Sequence, residues 1–473
     1  MTRRPVVRQL TAADAQFLSR EDGLQSGNVA ILLTLAPAPD GGVLGLEDVR
    51  DRVAARLPQI PPFRWQLHRV PLELDHPYWV EAPDVDVAHH VRETQLPPLS
   101  DAEAVAAHVA REVVRPMDRS RPLWEVHLMH GLPDGETGVL LKFHHASMDG
   151  ESAVEVIRLL VDGPSRRVGP PAVAGPARRS SDVRMAGHGV FHCVARLMRL
   201  PEHRRADLGI RAHAKGSQPE AGPQPVVDGT AIPPTTGFNG SPSAGRAFAY
   251  GRLPVSKIRE IRRRHGFTTN DVVVAIYAGA VRRWLLAHDE LVRSPLVTML
   301  PLSTRANDRR MVFGNHFYCV LAPFHTEEID PIERLRLTHD SLRFTRDPGE
   351  ALSDRYQSDL DARIIPPILD RARQTLRRRA VPTADRKNLI VSTVPGPPLP
   401  VRFAGAVVTG IYPCSIVLDG VGLNITSIVY GGHAHYGIAA DEGQVPDAWR
   451  VADWIQESFD ELATDGAIRP ADV

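Results

Sequence analysis

Two adjacent histidines, an aspartate and a glycine stand close together in HHASMDG, residues 144 to 150. The preceding TGVLLKF is rich in strand formers, so His144 and His145 leave the strand on opposite faces. The two imidazoles therefore cannot serve one substrate in the same way. One faces a reaction space while the other anchors the strand end. Asp149 follows after a turn, and Gly150 opens the helical run ESAVEVIRLLV. An aspartate there caps the helix or pairs with a distant arginine, and either arrangement fixes the turn and with it the imidazole. A histidine held in this way, with an ordinary pKa of about 6.5, suits the removal of a proton from a hydroxyl or a thiol.

Other uses of these residues fit less well. No nearby His, Glu or Cys completes a metal-ligand set around the pair, and neighbouring strand residues chelate poorly. His433 and His435 in GGHAHYG share a strand face and keep a weak metal alternative open. Ser147 lacks the G-x-S-x-G elbow of a hydrolase nucleophile. Histidines with purely structural partners would need no chemistry at all.

The chain that must position these groups has 473 residues, 43% hydrophobic and 24% charged, which is ordinary for a globular protein. Its 56 basic and 56 acidic side chains balance, unlike the basic excess of nucleic-acid binders. Cys193, Cys319 and Cys414 are too scattered for a disulfide framework. The start lacks an apolar leader, and no stretch reaches the roughly 18–20 apolar residues of a membrane span. A cytoplasmic protein is expected, with contact to a membrane surface left open.

Between Gly163 and Pro242 the texture turns Pro- and Gly-rich. The expected organisation is thus an N-terminal lobe over 1–162, a linker over 163–244 and a C-terminal lobe over 245–473. Within the linker, Val190, Val194, Leu197 and Met198 share a helical face beside arginines, an arrangement suited to an anionic membrane or to packing on the protein itself. In the first lobe, Thr11 with Asp14 and Ser100 with Glu103 read as capping boxes, and LWEVHLMHGL with TGVLLKFHH as a hairpin across Pro-Asp-Gly. In the second, Asn270 reads as the cap of the long buried helix DVVVAIYAGAVRRWLLA, and Asp330-Pro331 as the start of another. Strand and helix signals alternate in both halves, which predicts an α/β fold with a site between the lobes.

HHASMDG fits the HHxxxDG motif of the acyltransferase superfamily that includes chloramphenicol acetyltransferase, carnitine acyltransferases and peptide-synthetase condensation domains. Around it stand PLWEVHLMHGL (122–132), FNG (238–240), Asn270-Asp271, PLSTR (301–305), Gly314-Asn315, STVPGP (392–397) and VPD (445–447). In this order the words resemble the bacterial wax ester synthase/diacylglycerol acyltransferases over nearly the full chain. Thr393 replaces the family's usual Asn before VPGP, and Val429-Tyr430 stands where a Ser-Tyr pair is common. Both departures bear on acceptor preference.

The resemblance implies two chloramphenicol acetyltransferase-like lobes, mixed sheets flanked by helices, and a tunnel between the lobes with the motif histidine midway. It implies acyl-CoA as co-substrate, diacylglycerol or a long-chain alcohol as acceptor, triacylglycerol or wax ester as product, and neither cofactor nor metal. Peripheral contact with a membrane or lipid droplet follows from lipid substrates. His145 is the expected general base, with His144 and Asp149 beside it and Asn270 as helix cap or oxyanion donor. Arg305 is the expected partner of Asp149 across the lobes. Gly150, Trp124, Glu21 and Asp271 are expected to support the site. A silent acyl-chain or droplet-binding protein of this fold, and a transferase with an amine acceptor, are the competing readings.

Overall fold

The computed structural model describes residues 7–37, 42–97, 100–162, 187, 233–305, 313–343, 387–397 and 400–464. The basic helix expected over 190–205, most of the linker and Cys193 lie outside the described residues.

Two mixed six-stranded sheets carry the fold. The first runs Arg402–Phe403, Ala406–Cys414, Asn28–Leu35, Thr137–His144, Trp124–His130, Val91–Gln95. Asn28–Leu35 lies near its middle and is buried along its whole length, in keeping with the apolar run VAILL at its centre. The hairpin Trp124–His130 to Thr137–His144 turns through Pro133–Gly135 and sets His144 opposite Asn28 across the next strand pair. The second sheet runs Phe317–Phe324, Leu296–Ser303, Leu389–Pro395, Leu423–Tyr430, His433–Asp441, Arg246–Pro254. A three-stranded sheet of Val7–Gln9, Tyr78–Glu81 and Trp65–His68 flanks the first lobe.

The lobes are not separable at the expected boundaries. Ala406–Cys414 belongs by sequence to the second half but pairs antiparallel with Asn28–Leu35 of the first. Its run of strand formers marks a strand and carries nothing about which sheet receives it. At Gly437 the two layers meet backbone to backbone, and a Cβ there would collide with the Pro413 carbonyl. Helix Ala102–Val114 adds a third apolar cluster, in which Val105 and Val109 join Leu32 and Leu140 of one sheet to Phe248 and Ala439 of the other. No helix among the described residues is long and apolar enough to cross a membrane.

Two caps differ from expectation. Ala102–Val114 is capped by Asp101, which accepts the Ala104 N–H, while the Ser100 hydroxyl donates to the Pro97 carbonyl. Helix Thr269–Ala287 is capped by Thr268 and not by Asn270. The residue three places on decides: Thr268 finds Asp271 for a reciprocal box, whereas Asn270 would face Val273. The caps expected from Thr11 with Asp14, and from Asp330, form as read.

Candidate active site

His144 ends its strand 2% exposed, and its tautomer follows from its partners. Nδ1 accepts the Ala146 N–H at 3.0 Å, so the ring proton sits on Nε2, which donates to Glu21 Oε1 at 3.1 Å. The same Glu21 accepts the Gly27 N–H at 2.9 Å and pairs with Arg119. Burial pushes the Glu21 carboxyl up, but His144, Gly27 and Arg119 together outweigh it and hold the group down at about 2. Gly27 is itself a requirement of this seat, because a Cβ there would lie 2.6 Å from His144 Nε2. Ser147, buried, donates its hydroxyl to the His144 carbonyl and is thereby committed to the turn.

His145 points the other way. Its backbone N–H donates to the Gly27 carbonyl at 2.8 Å, and its ring stacks on Phe17 with centroids 4.2 Å apart and planes 10° from parallel. Nδ1 lies 3.0 Å from Asn315 Oδ1. The Asn315 amide spends its hydrogens on Asp14 Oδ1 at 2.8 Å and on the His145 carbonyl at 2.7 Å. Its oxygen must then accept, so Nδ1 carries the His145 ring proton and Nε2 keeps its lone pair. Asp14, fully buried, is itself held by the Arg8 guanidinium at 3.1 Å and the Thr11 N–H at 3.2 Å. A line Arg8–Asp14–Asn315–His145 thus sets the orientation and tautomer of one imidazole. Burial pushes the pKa of His145 below the ordinary 6.5, and the nearby Asp149 charge and Asn315 only partly oppose it. A neutral ring with an open Nε2 is a base ready to take a proton.

Asp149 does both things its position allows. It caps helix Gly150–Leu160 by accepting the Ser152 N–H, and it receives Arg305 in a two-pronged pair at 2.8 and 2.9 Å. The His316 N–H adds a further bond at 2.9 Å. Burial raises this carboxyl, but Arg305 and the two backbone donors outweigh it, and its pKa is lowered. Arg305 also reaches Glu151, the Ser152 hydroxyl and the Gly314 carbonyl. Gly314 has φ 126°, a conformation side chains rarely adopt, and its carbonyl also accepts the Asp149 N–H and the Ser152 hydroxyl. One salt-bridged knot therefore stitches the histidine turn to the second half of the chain, directly before Asn315.

The remaining expected residues lie around this centre at different depths. Gly150 lets its helix approach the strand below, since a Cβ would come within 3.0 Å of Val394 Cγ2. Trp124 is a core buttress, stacked between Phe63 and His90 with its indole N–H on the Phe63 carbonyl. Asp271 is fully buried, closing its own cap and accepting from His339 Nδ1 at 2.8 Å. Asn270 is exposed in the first turn of its helix and makes no hydrogen bond to His145, Asp149 or Asn315. His433 and His435 stand 5.9 Å apart by ring centroids, and no third ligand joins them among the described residues. Cys319 and Cys414 are free thiols that burial pushes up to about 12. A small pocket lies beside the two histidines, lined by Phe17, Glu21, Gly27 and Ile416–Leu418, the first three being their neighbours.

Asn315, Asp14 and Phe17 carry the most weight among the residues whose roles the sequence did not declare. Asp14 was visible only as a cap, and Asn315 only as half of a Gly-Asn word. Neither shows locally that 170 and 301 positions of chain separate Asn315 from the groups it joins.

Comparison with known proteins identifies the family of the chain. Residues 10–273 match the wax ester synthase/diacylglycerol acyltransferase catalytic domain, and residues 313–463 match the C-terminal domain of the same family. A Mycobacterium tuberculosis relative, provisionally named a diacylglycerol O-acyltransferase, is 31% identical over 466 residues, covering 96% of this chain and 99% of its own. The solved wax ester synthase/diacylglycerol acyltransferase of Marinobacter aquaeolei superposes with a TM-score of 0.68 at 25% identity, covering 97% and 99% of the two chains. The starter condensation domain of rhizomide synthetase, solved with C8-CoA and Leu-SNAC, shares the fold at a TM-score of 0.55 and 14% identity, covering 99% and 96%. With its catalytic and C-terminal domains both matched and relatives aligned almost end to end, the chain belongs to the wax ester synthase/diacylglycerol acyltransferase family and is an acyltransferase.

Proposed function

We propose that the protein moves a fatty acyl group from coenzyme A to the hydroxyl of a diacylglycerol or a long-chain alcohol, with His145 as general base. The observation that carries this reading is the Asn315-fixed tautomer, which leaves Nε2 as the proton acceptor. In the reaction the hydroxyl oxygen attacks the thioester carbonyl as Nε2 takes its proton. The tetrahedral intermediate then collapses, the carbon–sulfur bond breaks, and the imidazolium returns the proton to the departing thiolate. Ester and free coenzyme A result, and His145 ends neutral. A thioester is already an activated acyl donor, so one positioned base suffices without a covalent enzyme intermediate, resident cofactor or metal. His144, held by Glu21, anchors the strand end, and Asp149 with Arg305 fixes the turn. Acceptor and product are both lipids, so the protein meets them at a membrane or droplet surface.

Free-thiol release from palmitoyl-CoA, with hexadecanol, dioleoylglycerol and a long-chain amine offered separately, tests the reading. Release that depends on either alcohol is the expected result. Release only with the amine, or stoichiometric acyl binding without release, would replace it with the amine transferase or the silent lipid binder.

Asn315 gives a sharper expectation. Asn315→Ala removes the acceptor that holds Nδ1–H and frees the ring to swing and to change tautomer. A misplacement of this kind costs about a hundredfold in kcat. Because Asn315 positions the base, KM should stay close to the parent value in the same thiol assay. A fall in KM-linked binding with kcat unchanged would show that Asn315 serves the substrate and not the histidine.

A further inference from the structure

A second cluster of histidines lies away from His145, between helix Ala102–Val114 and strand Trp124–His130. His108 and Glu112 are one helical turn apart and share a face, which turns toward His127 on the strand. One ligand atom from each of the three lies within 4.8 Å of the others. His108 and His127 are 9% and 2% exposed, respectively, so two imidazoles are withdrawn from water here.

The hydrogen bonds fix how the ring of His127 is used. Nε2 lies 3.1 Å from Glu125 Oε2, and a carboxylate only accepts, so Nε2 carries the proton. Nδ1 is then the lone-pair nitrogen, and it faces Glu112 Oε2 at 3.7 Å. The cation beside this contact is the Arg115 guanidinium, 2.9 Å from the same Glu112 oxygen. A proton on His127 would satisfy that contact alone. It would leave His108 Nε2, which is buried and has no hydrogen-bond partner, as bare as before.

We propose that His108, Glu112 and His127 form a structural site for a divalent first-row cation of the zinc class. Two imidazoles and one carboxylate are the donor set such an ion takes, and a fourth position remains for water. Glu125 supplies what a metal-bound histidine ordinarily has behind it, a carboxylate on the far ring nitrogen that fixes the tautomer. Metal–ligand bonds of about 2.1 Å require the three donors to close by roughly an ångström, within reach of side-chain rotation. Arg115 now sits 2.9 Å from Glu112 and 3.1 Å from Glu125. With its side chain 41% exposed it can release Glu112 and keep Glu125, so the cation replaces one guanidinium contact.

The placement says what the ion would stabilise. Just beyond Glu112, the Val113 and Arg115 carbonyls accept the Asn28 amide at 3.0 Å each, and Arg115 also accepts Lys142 at 2.6 Å. Asn28 pairs with His144 in the sheet, and Lys142 precedes it by two residues. The site clamps the end of this helix to the strands that deliver the histidine pair and takes no part in acyl transfer, so it stands or falls independently of the proposed reaction.

Tag-free full-length protein, stripped with EDTA and dialysed, is titrated with zinc chloride by calorimetry and followed by thermal unfolding. One equivalent per chain and a rise of several degrees in Tm are expected. His108→Ala, Glu112→Gln and His127→Gln should each weaken binding by at least about tenfold, while His433→Ala leaves it unchanged. X-ray absorption of the zinc-loaded parent needs no variant and should show imidazole scattering with nitrogen and oxygen donors only. No binding at micromolar zinc, or stoichiometric binding that survives all three substitutions, would overturn the site and leave His127 as an ion-pair partner of Glu112 and Glu125.

Discussion

Replacing His145 with alanine is expected to lower acyl transfer by roughly two to four orders of magnitude, with the Tm close to that of the parent. The two halves of this expectation have separate causes. The loss in rate follows from removing the imidazole whose Nε2 is left as proton acceptor by the Nδ1–Asn315 bond. The small change in stability follows because the ring gives up one hydrogen bond and one stacking contact while the turn keeps Asp149, Arg305 and the Gly27 carbonyl. His144→Ala should behave oppositely in emphasis. It takes one of its partners from Glu21, a half-buried carboxylate that depends on His144 for part of its low pKa, and so it should unfold more readily. The pH profile supplies a second check on His145. Transfer requires the neutral ring, and burial lowers its pKa, so kcat/KM should be on its plateau at neutral pH and fall on an acid limb below 6.5. Near-normal turnover in His145→Ala, or an acid limb above 6.5, would remove the assignment.

The sequence made the centre of the site readable and left its support obscure, for a physical reason. In HHASMDG strand alternation, the turn and the helix cap are local, so the opposed histidines and the capping aspartate follow from spacing of a few residues. The partner of Asp149 was reachable because a buried carboxylate needs a planar cation and the chain offers Arg305 in a distinctive word. Asn315 was not reachable in this way. A Gly-Asn pair at the start of a strand has ordinary local uses, and its three bonds to Asp14 and His145 exist only once both halves have folded. Glu21 was expected as support, but its grip on His144 depends on the chain doubling back at Gly27. The crossing of Ala406–Cys414 into the other sheet was not visible either, since strand pairing across 375 residues leaves no local mark. The misread cap at Asn270 is of another kind. Three consecutive cap formers competed, and only the position of Asp271 settles the choice.

Arg305→Ala should be the most destabilising change of charge at this site, by roughly 3–5 kcal/mol at neutral pH. Asp149 is 5% exposed and takes both prongs of the guanidinium. Without Arg305 the two backbone N–H groups remain, but a full charge is left in the interior. In the parent the pKa of Asp149 is lowered, so the pair contributes its stability above the ordinary 3.8 and loses it as the pH falls toward the lowered value. In the variant burial acts with its main opponent gone, so the carboxylate costs stability at neutral pH and the cost shrinks as acid neutralises it. Urea unfolding from pH 4 to 8 should therefore show a deficit that is largest at the alkaline end. The double variant Asp149→Asn/Arg305→Ala separates charge from lost contact. Asparagine still caps the helix and carries no charge, so the double variant should be more stable than Arg305→Ala alone. If it is less stable, and the deficit does not change with pH, the unpaired charge is not what Arg305 holds in check, and its bonds to Ser152, Glu151 and the Gly314 carbonyl carry the effect instead.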